Sequence, residues 1–473
     1  MWYAVNMKKK SYDTITKINR KHDVNSPGPV VVFFITLGVV LLCGVSIMFL
    51  WNHFGDNAKV TTDAAGVEQS SQSASGEVAS EINASGQDPE QAKEQAKEQE
   101  AGQAEGLLWE KQPEEQKEPT ATPEEAVVEE SRYGEVLQDA QYLKENRIVP
   151  WSASDEESVT LGFVGDILLD DEYAILANLL QRGGTIRDGI SEEMLQELLG
   201  VDILVANNEF PYTNRGMPTE GKTYTFRADP DAVSYLQDMG VDVAVLANNH
   251  MFDFGEEGLL DTLSTLEEAD IPYVGAGRNL EEASAPVYFI ANDIKIAFVA
   301  ATQIERLENP DTRGATEQCS GVFRCLDPTK LYEIVREADA NSDFVVVYMH
   351  WGTENVAEPD WAQLDQAPGL AEAGADLIIG DHPHCLQGIE YYGSVPVIYS
   401  LGNFWFNSKT VDTGMVQVEI GKEGLESFRF VPAIQSDCRV KLAKGAEKER
   451  ILSYMRELSP KVTIDEEGYV SIK

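Results

Sequence analysis

Residues 343–384 read DFVVVYMHWGTENVAEPDWAQLDQAPGLAEAGADLIIGDHPH. Two short apolar runs, at 343–350 and 376–380, flank an amphipathic segment that ends at Gly374, and glycine is common just after a helix. The runs are almost continuously apolar, which is typical of strands buried on both faces. The stretch therefore predicts an α/β fold, with polar residues following each strand.

The same alternation of apolar runs and amphipathic segments extends over residues 155–460. Residues 414–431 alternate with period two around a glycine-bearing turn and predict a hairpin, and residues 449–459 predict a final helix. We assign 155–460 to one α/β domain and 461–473 to a C-terminal tail. The remaining strand candidates are residues 159–165, 201–208, 241–248, 294–302 and 396–403.

Residues 30–51 are an uncharged apolar run of 22 residues, long enough to cross about 30 Å of hydrocarbon. The run is too long for the core of a cleaved signal peptide and has no small-residue cleavage site, so it predicts an uncleaved signal-anchor transmembrane helix. Residues 1–29 are basic, which keeps this N-terminus in the cytoplasm. The protein is then a single-pass protein of the cell membrane, with the lipid bilayer as a partner and the main domain extracellular.

Residues 52–154 are rich in Glu, Gln, Ala, Ser and Pro and poor in large apolar residues. Such a composition cannot bury enough surface to offset the entropy of ordering the chain. We predict an acidic, low-complexity, disordered extracellular stalk.

Charge limits the partners. The 473 residues include 80 acidic and 37 basic side chains, for a net charge of -43. This charge repels phosphate backbones, so no nucleic-acid partner is expected. An anionic substrate would need local attraction, most simply from bound metal ions.

The cysteines give one structural expectation. Cys319 and Cys325 are six residues apart in the loop sequence CSGVFRC, and an oxidising exterior would permit a disulfide between them.

Polar side chains follow six of the predicted strands. Because ligands of open α/β sheets bind where the carboxyl ends of strands converge, these residues are candidates for a common site. Every histidine outside the membrane segment and its flank lies in such a position. The residues are Asp166, Asn207, Glu209, Asn248, Asn249, His250, His350, Asp381, His382, His384 and Asn403.

Imidazoles, carboxylates and an amide oxygen form a ligand set without thiolates. Such sets suit divalent Zn, Mn or Fe, and this number of ligands suits two ions better than one. Two ions give hydrolytic chemistry, because they bridge an activated water and hold substrate oxygens. The sequence contains no GxxxxGK[ST] phosphate loop, GxSxG elbow or kinase signature.

Several motifs closely resemble, in order, those of the CapA or poly-gamma-glutamate capsule synthesis family. They are GFVGD (162–166), VANNEFP (205–211), YTFRADP (224–230), LANNHMFDFGEEGL (246–259), MHWGTE (349–354), GDHPHCLQGIE (380–390) and YSLGNFWF (399–406). The family is related to the calcineurin-like metallophosphoesterases, so the resemblance implies a two-sheet α/β sandwich with a metal site above it.

The resemblance also implies roles for individual residues. Asp166, Glu209 and His384 would hold one metal, with Glu209 as the bridge, and Asn249, His350 and His382 the second. His250, beside Asn249, would be the general acid or stabilise the leaving group. Asn207, Asp253, Glu354 and Asn403 would be outer contacts or bind substrate. One position differs from the phosphoesterase pattern. Leu168 occupies the place of a histidine that is usual in those enzymes.

Three functional hypotheses follow. The first is a membrane-anchored hydrolase acting in capsule polymer synthesis, export or trimming, on the anionic polymer or its precursor. The second is a non-catalytic assembly or polymer-handling subunit beside a membrane polymer synthetase. The third is a general surface phosphoesterase.

Overall fold

The computed structural model describes residues 131–305 and 312–473, all within one compact unit, Thr120–Lys473. The predicted cytoplasmic segment 1–29, the predicted transmembrane helix 30–51 and the stalk up to residue 130 lie outside the described residues. Within the described ranges, no helix is both long enough and apolar enough to span a bilayer.

The described helices alternate with strands along most of the chain. The helices are α1 Ala140–Glu145, α2 Ala174–Arg182, α3 Ile186–Gly189, α4 Glu192–Leu198, α5 Val233–Met239, α6 Gly255–Glu268, α7 Leu280–Ser284, α8 Thr329–Ala340, α9 Trp361–Ala373 and α10 Ala446–Leu458. Two 3-10 turns lie at Val136–Gln138 and Pro230–Ala232. The strands are β1 Ile148–Pro150, β2 Val159–Ile167, β3 Ile203–Asn208, β4 Val241–Val245, β5 Tyr273–Val274, β6 Ala276–Gly277, β7 Val287–Ala291, β8 Ile294–Thr302, β9 Gly321–Val322, β10 Phe344–His350, β11 Leu377–Asp381, β12 Ile389–Tyr392, β13 Val395–Ile398, β14 Asn403–Trp405, β15 Val411–Gly421, β16 Gly424–Ser436, β17 Arg439–Leu442, β18 Val462–Ile464 and β19 Val470–Ile472.

Two large mixed sheets form the centre of the fold. One has the order β1-β7-β8-β10-β11-β13-β12, and the other has the order β17-β16-β15-β2-β3-β4-β5 with β14 beside β2. Strands β8, β10, β11 and β13 are mutually parallel, as are β2, β3, β4 and β5. Parallel strands bring their carboxyl ends to one edge, which is where a ligand site is expected.

Apolar side chains from both sheets pack against each other in one continuous core. Phe163 and Val205 contribute from one sheet, and Phe298 and Val346 from the other. Helices α2, α4, α5 and α6 cover the outer face of the β2 sheet, and α8 and α9 cover that of the β10 sheet. This layered arrangement explains the near-continuous apolar runs, since each central strand is buried on both faces.

The predicted α/β fold with two sheets is confirmed. The strand candidates correspond to β2, β3, β4, β8, β10, β11 and β13 with β14, and the predicted hairpin and final helix correspond to β15–β16 and α10. The two ends of the domain differ from the prediction.

The predicted stalk extends to residue 154, but residues 131–151 belong to the folded unit. Strand β1 pairs in parallel with β7, and Arg132 donates two hydrogen bonds to the Asp343 carboxylate, at 3.1 and 3.0 Å. The acidic composition of this region obscures a three-residue strand whose partner is distant in sequence. The predicted tail 461–473 likewise contains the β18–β19 hairpin.

The predicted disulfide is not formed, since Cys319 and Cys325 are both free thiols in the described structure. Strand β9 extends the chain between them. The Cys325 side chain is buried in the core under α8 and α9, whereas Cys319 lies in a turn closed by Thr316. Spacing in sequence does not reveal that the two side chains occupy different environments.

Candidate metal centre

The backbone register of both sheets gathers the polar residues at one edge. His350 is paired with Asp381 across β10 and β11, and Asp166 is paired with Asn207 on β3 and with Asn403 on β14. Every histidine and carboxylate that the sequence placed after a strand therefore reaches the same edge. All of them except His384 are buried.

Gly165 permits the close approach of β14. A Cβ atom at this position would lie 1.9 Å from the carbonyl oxygen of Gly402, which accepts a hydrogen bond from the Asp166 backbone N–H. A larger residue at position 165 would push Asn403 away from Asp166. Packing therefore explains Gly165, the second glycine of the GFVGD motif.

Two side chains hold the Asp166 carboxylate, and a third holds one of those two. Asn207 Nδ2 donates to its Oδ1 at 2.8 Å, and His384 Nδ1 lies 2.9 Å from its Oδ2. Asn403 Oδ1 lies 2.8 Å from the same His384 nitrogen. Burial acts to raise the pKa of Asp166, but the hydrogen bond and charge of His384 outweigh it and hold that pKa below its ordinary value. Asp166 is therefore an ionised carboxylate at neutral pH.

His350 is at the centre of the cluster. Its Nε2 lies 2.8 Å from Asn249 Oδ1, 3.1 Å from His382 Nδ1 and 3.6 Å from Glu209 Oε1. Burial lowers the pKa of His350 to about 3, and burial also lowers the pKa of His382 well below its ordinary value. Both rings are therefore neutral, which is the form that ligates metal ions.

The loop that carries two of the histidines has a strained backbone. His382 has φ 93° and His384 has φ 56°, both in the left-handed region that favours glycine. Such conformations cost about 1–3 kcal/mol each and are concentrated at functional sites. The GDHPH segment therefore directs two imidazoles into the cluster at some cost in folding free energy.

Glu209 has an unusual environment. Its side chain is completely buried, and neither carboxylate oxygen has a hydrogen-bond partner among residues 131–305 and 312–473. Burial, followed by the nearby Asp166 charge, raises the pKa of Glu209 well above its ordinary value. A buried carboxylate without donors is costly unless a cation compensates it. Metal ions fit this position.

Two groups of three side chains have ligand atoms within 4.8 Å of one another, and Glu209 belongs to both. The groups are Asp166, Glu209 and His350, and Glu209, His382 and His384. Glu209 is the member that the two groups share, and the bridging role that the resemblance implies stays a prediction. The groups overlap, because His384 Nδ1 is also 2.9 Å from Asp166 Oδ2 and His350 Nε2 is 3.1 Å from His382 Nδ1, so the division of the histidines that the resemblance implies stays a prediction.

His250 lies beside this cluster and is oriented by Asp253. Its Nδ1 is 2.7 Å from Asp253 Oδ2, and its Nε2 faces Glu209 Oε1 at 3.9 Å. The ring packs on Phe226, with ring centroids 4.3 Å apart. Burial lowers the pKa of His250, more than the Asp253 charge raises it. Asp253 thus binds the His250 ring, and the start of helix α6 has no side-chain cap.

The other predicted residues have more peripheral places. Asn248 donates to Asn207 Oδ1 at 3.1 Å, which supports the residue that binds Asp166. Glu354 is exposed at the rim, and its charge contributes to raising the pKa of His384. Leu168, which replaces the usual histidine, is fully buried in the core beneath the helices of the β2 sheet.

The sequence assigned no role to three further residues of the site, Lys222, Tyr348 and Asp381. Lys222 binds Asp253, with Nζ 2.6 Å from Oδ1. The Tyr348 hydroxyl lies 2.6 Å from Asp381 Oδ2, and Asp381 Oδ1 has no hydrogen-bond partner in the described part of the chain. Asp381 follows a predicted strand. Lys222 lies in a polar loop and Tyr348 in an apolar strand, so the sequence does not distinguish these two residues from ordinary loop and core residues.

The fold and the cluster define an α/β sandwich protein with a buried polar centre of metal-ligand composition. The family model of the bacterial capsule synthesis protein PGA_cap matches residues 160–408, just over half of the chain. This chain belongs to that family, and the match contains the motifs that form the centre.

Named relatives agree with this assignment. The chain is 30% identical over 319 residues to "Capsule biosynthesis protein CapA" of Bacillus anthracis, covering 64% of this chain and 74% of the relative. It is 31% identical over 282 residues to "PGA biosynthesis protein CapA" of Bacillus subtilis (strain 168), covering 59% and 72%. A "Probable polyglutamine synthesis accessory protein" of Mycobacterium tuberculosis is 30% identical over 220 residues, covering 44% and 56%.

Among solved structures, the protein TT1561 of Thermus thermophilus aligns with 57% of this chain and 97% of its own chain. The sequence identity is 8% and the TM-score is 0.30.

Proposed function

We propose that this chain is a membrane-anchored extracellular protein of poly-gamma-glutamate capsule synthesis, export or trimming, and that its domain is a metallophosphoesterase-like hydrolase. Family membership and the names of the relatives support the capsule context. The buried centre supports hydrolytic chemistry.

The observation that carries the catalytic part is the environment of Glu209. It belongs to both ligand groups, and its two oxygens have no hydrogen-bond donor within the described residues. A core that needed only a polar contact would supply N–H groups to such a carboxylate. Binding to divalent ions would compensate both oxygens.

In this proposal Asp166 and His384 would hold one ion, and Asn249, His350 and His382 would hold the other. Glu209 would be shared between them. Bound divalent ions would activate water and polarise the substrate oxygen. His250, held by Asp253, keeps Nε2 directed into the centre, where it can hold or donate a proton at the leaving group.

The substrate classes consistent with this chemistry are a phosphoester, a phospholipid-linked intermediate and the γ-amide bond of the polymer. All are anionic or belong to anionic molecules, and the chain has a net charge of -43. The metal ions would supply the local positive charge that the protein surface does not.

The experiment measures metal content and hydrolysis together on the full-length protein in detergent. Wild type should retain one to two equivalents of Zn, Mn or Fe and cleave a phosphodiester or a γ-glutamyl peptide. His382→Ala with His384→Ala should lose both metal and hydrolysis, whereas Lys330→Met, on the exposed face of α8, should lose neither. Wild-type protein that binds no metal after reloading would overturn the catalytic proposal.

A second candidate is a non-catalytic assembly or polymer-handling subunit. It is favoured by Leu168, which lies in the hydrophobic core where the phosphoesterases usually have a metal-binding histidine, and by the word "accessory" in the name of the Mycobacterium tuberculosis relative. This candidate predicts that His250→Ala supports normal capsule production in cells. A general surface phosphoesterase would instead cleave phosphodiesters but leave capsule production unchanged when deleted.

The membrane topology is a separate part of the proposal and rests on residues 1–51. Protease added to intact cells should release the folded domain and leave the basic N-terminus protected. A domain that resists protease until the cells are opened would reverse the proposed orientation.

A further inference from the structure

An irregular loop covers the side of the centre on which His250 lies. It comprises residues 213–227, between the paired residues Tyr212 and Ala228. Thr219 fixes it to the turn after His250, since its backbone N–H donates to Asp253 O at 2.8 Å and its hydroxyl to Phe252 O at 3.0 Å. The loop is therefore held against the segment that carries the proposed acid–base residue.

Lys222 extends from this loop into the interior. Its side chain is only 5% exposed, and its ammonium group contacts two acceptors. One is Asp253 Oδ1, at 2.6 Å, and the other is the backbone carbonyl oxygen of Asn249. A single buried cation thus joins the carboxylate that orients His250 to the backbone of Asn249, the adjacent proposed metal ligand.

Asp253 is surrounded by donors. Its Oδ1 accepts from Lys222, and its Oδ2 accepts from the Phe226 backbone N–H at 2.7 Å and faces His250 Nδ1 at 2.7 Å. Both Asp253 oxygens already accept from N–H groups of the loop, so His250 Nδ1 is placed as the donor toward Oδ2. That fixes the tautomer and leaves Nε2 facing the metal centre.

We propose that Lys222 is a positioning residue, which holds Asp253 and the Asn249 backbone together and thereby fixes the orientation and tautomer of His250. The loop 213–227 supplies two parts of this arrangement, because Lys222 binds the carboxylate and Phe226 packs on the imidazole. The inference deepens the proposed hydrolase function and rests on it for its catalytic consequence. The orientation of His250 is a physical property of the chain and is testable without turnover.

This role follows from the chemistry of proton transfer. An imidazole acts as general acid or base only when one nitrogen faces the reacting group and the other is held by a partner. Without the ammonium group, Asp253 would keep two of its partners but would lose the one that fixes Oδ1. The carboxylate would then rotate, and His250 would populate both tautomers.

The experiment uses full-length protein with 15N-labelled histidine, observed by NMR without metal and again after zinc loading. The chain has six histidines, so the imidazole signals can be assigned from single substitutions. In wild type, His250 should show protonated Nδ1 and unprotonated Nε2. Lys222→Met should show mixed tautomers, and Lys222→Arg should restore most of the wild-type pattern. Lys222→Gln replaces the methionine variant if that variant does not fold.

Lys295→Met is the matched control. Lys295 is partly buried and packs on Tyr288 at 4.3 Å, near the start of β8 and far along the strand from the centre. This variant should leave the His250 signals unchanged. For a hydrolysed substrate, Lys222→Met should lower turnover about ten- to a hundredfold with metal content unchanged, whereas Lys295→Met should not.

Wild-type His250 signals and wild-type turnover in Lys222→Met would overturn the inference and make Lys222 only a structural residue. Wild-type protein that binds no metal and hydrolyses nothing would overturn the proposed function instead, and the NMR comparison would still decide the positioning role.

Discussion

The two ends of the central strands use carboxylates in opposite ways. At the amino ends, each of four aspartates accepts a backbone N–H from the neighbouring strand. The pairs are Asp202 with Thr160, Asp242 with Leu204, Asp343 with Lys295 and Asp376 with Val345, each at 2.8 Å. At the carboxyl ends, three oxygens of Glu209 and Asp381 have no donor within the described residues.

This difference separates structural from functional carboxylates. A carboxylate that accepts strand N–H groups stabilises the sheet and needs no ligand. A fully buried carboxylate without donors, next to the neutral imidazoles of His350 and His382, stabilises the fold only when a cation is present. The same residue type at opposite ends of the same strands therefore has different consequences when it is changed.

The largest effect is expected for His250→Ala at the carboxyl end. Hydrolysis should fall by about a hundred- to ten-thousandfold, because general acid–base catalysis contributes that much. Metal content and thermal stability should remain near wild type, since His250 is outside both ligand groups. Kinetics with parallel metal analysis test this, and full activity in the variant would remove His250 from the mechanism.

At the amino end, Asp202→Ala should affect stability and not chemistry. The carboxylate accepts from Ser154 N at 2.6 Å and from both N and Oγ1 of Thr160 at 2.8 Å. Losing these partners should lower the free energy of unfolding by about 2–3 kcal/mol. Urea denaturation measures the loss. A loss of bound metal in this variant would contradict the separation of the two ends.

The smallest effect is expected on the pH dependence of the free energy of unfolding, through Asp242. Burial raises the pKa of Asp242 to about 6, although its hydrogen bond from Leu204 acts in the opposite direction. Because this pKa is above the ordinary value of about 3.9, the folded state binds the proton more tightly. The resulting stability is present below about pH 4 and is lost as the pH rises to about 6.

Asp242→Asn should therefore reduce the decline in unfolding free energy between about pH 4.5 and about pH 7 by about 1–2 kcal/mol. Denaturation of wild type and variant at the two pH values measures this difference. An identical decline in both proteins would show that Asp242 titrates normally.

Much of the fold was predictable because its central strands are buried on both faces. Residues 294–302 and 343–350, for example, are nearly continuous apolar runs that leave few alternatives to a strand. The position of the centre followed from the same pattern, since parallel strands end at one edge and polar residues such as His350 and Asp166 follow them. The family motifs then supplied roles for individual residues.

Other features depend on contacts that sequence patterns do not contain. Strand β1 has three residues and gains its stability from β7, about 140 residues later. Lys222 resembles any lysine in a polar loop, and only the fold shows that its ammonium group is buried against Asp253. The two histidines of the GDHPH segment reach the centre through left-handed backbone conformations at His382 and His384, which no spacing in the sequence predicts.

Whether Glu209 needs a cation is the central question for this protein. Thermal unfolding of full-length wild type and Glu209→Gln, each with EDTA and with added zinc or manganese, measures this. Wild type should gain about 2–4 kcal/mol when metal is well above its dissociation constant, and Glu209→Gln should gain almost nothing while being at least as stable as wild type in EDTA. Equal stabilisation of both proteins by metal, or of neither, would contradict the assignment of Glu209 as the bridge of a metal centre.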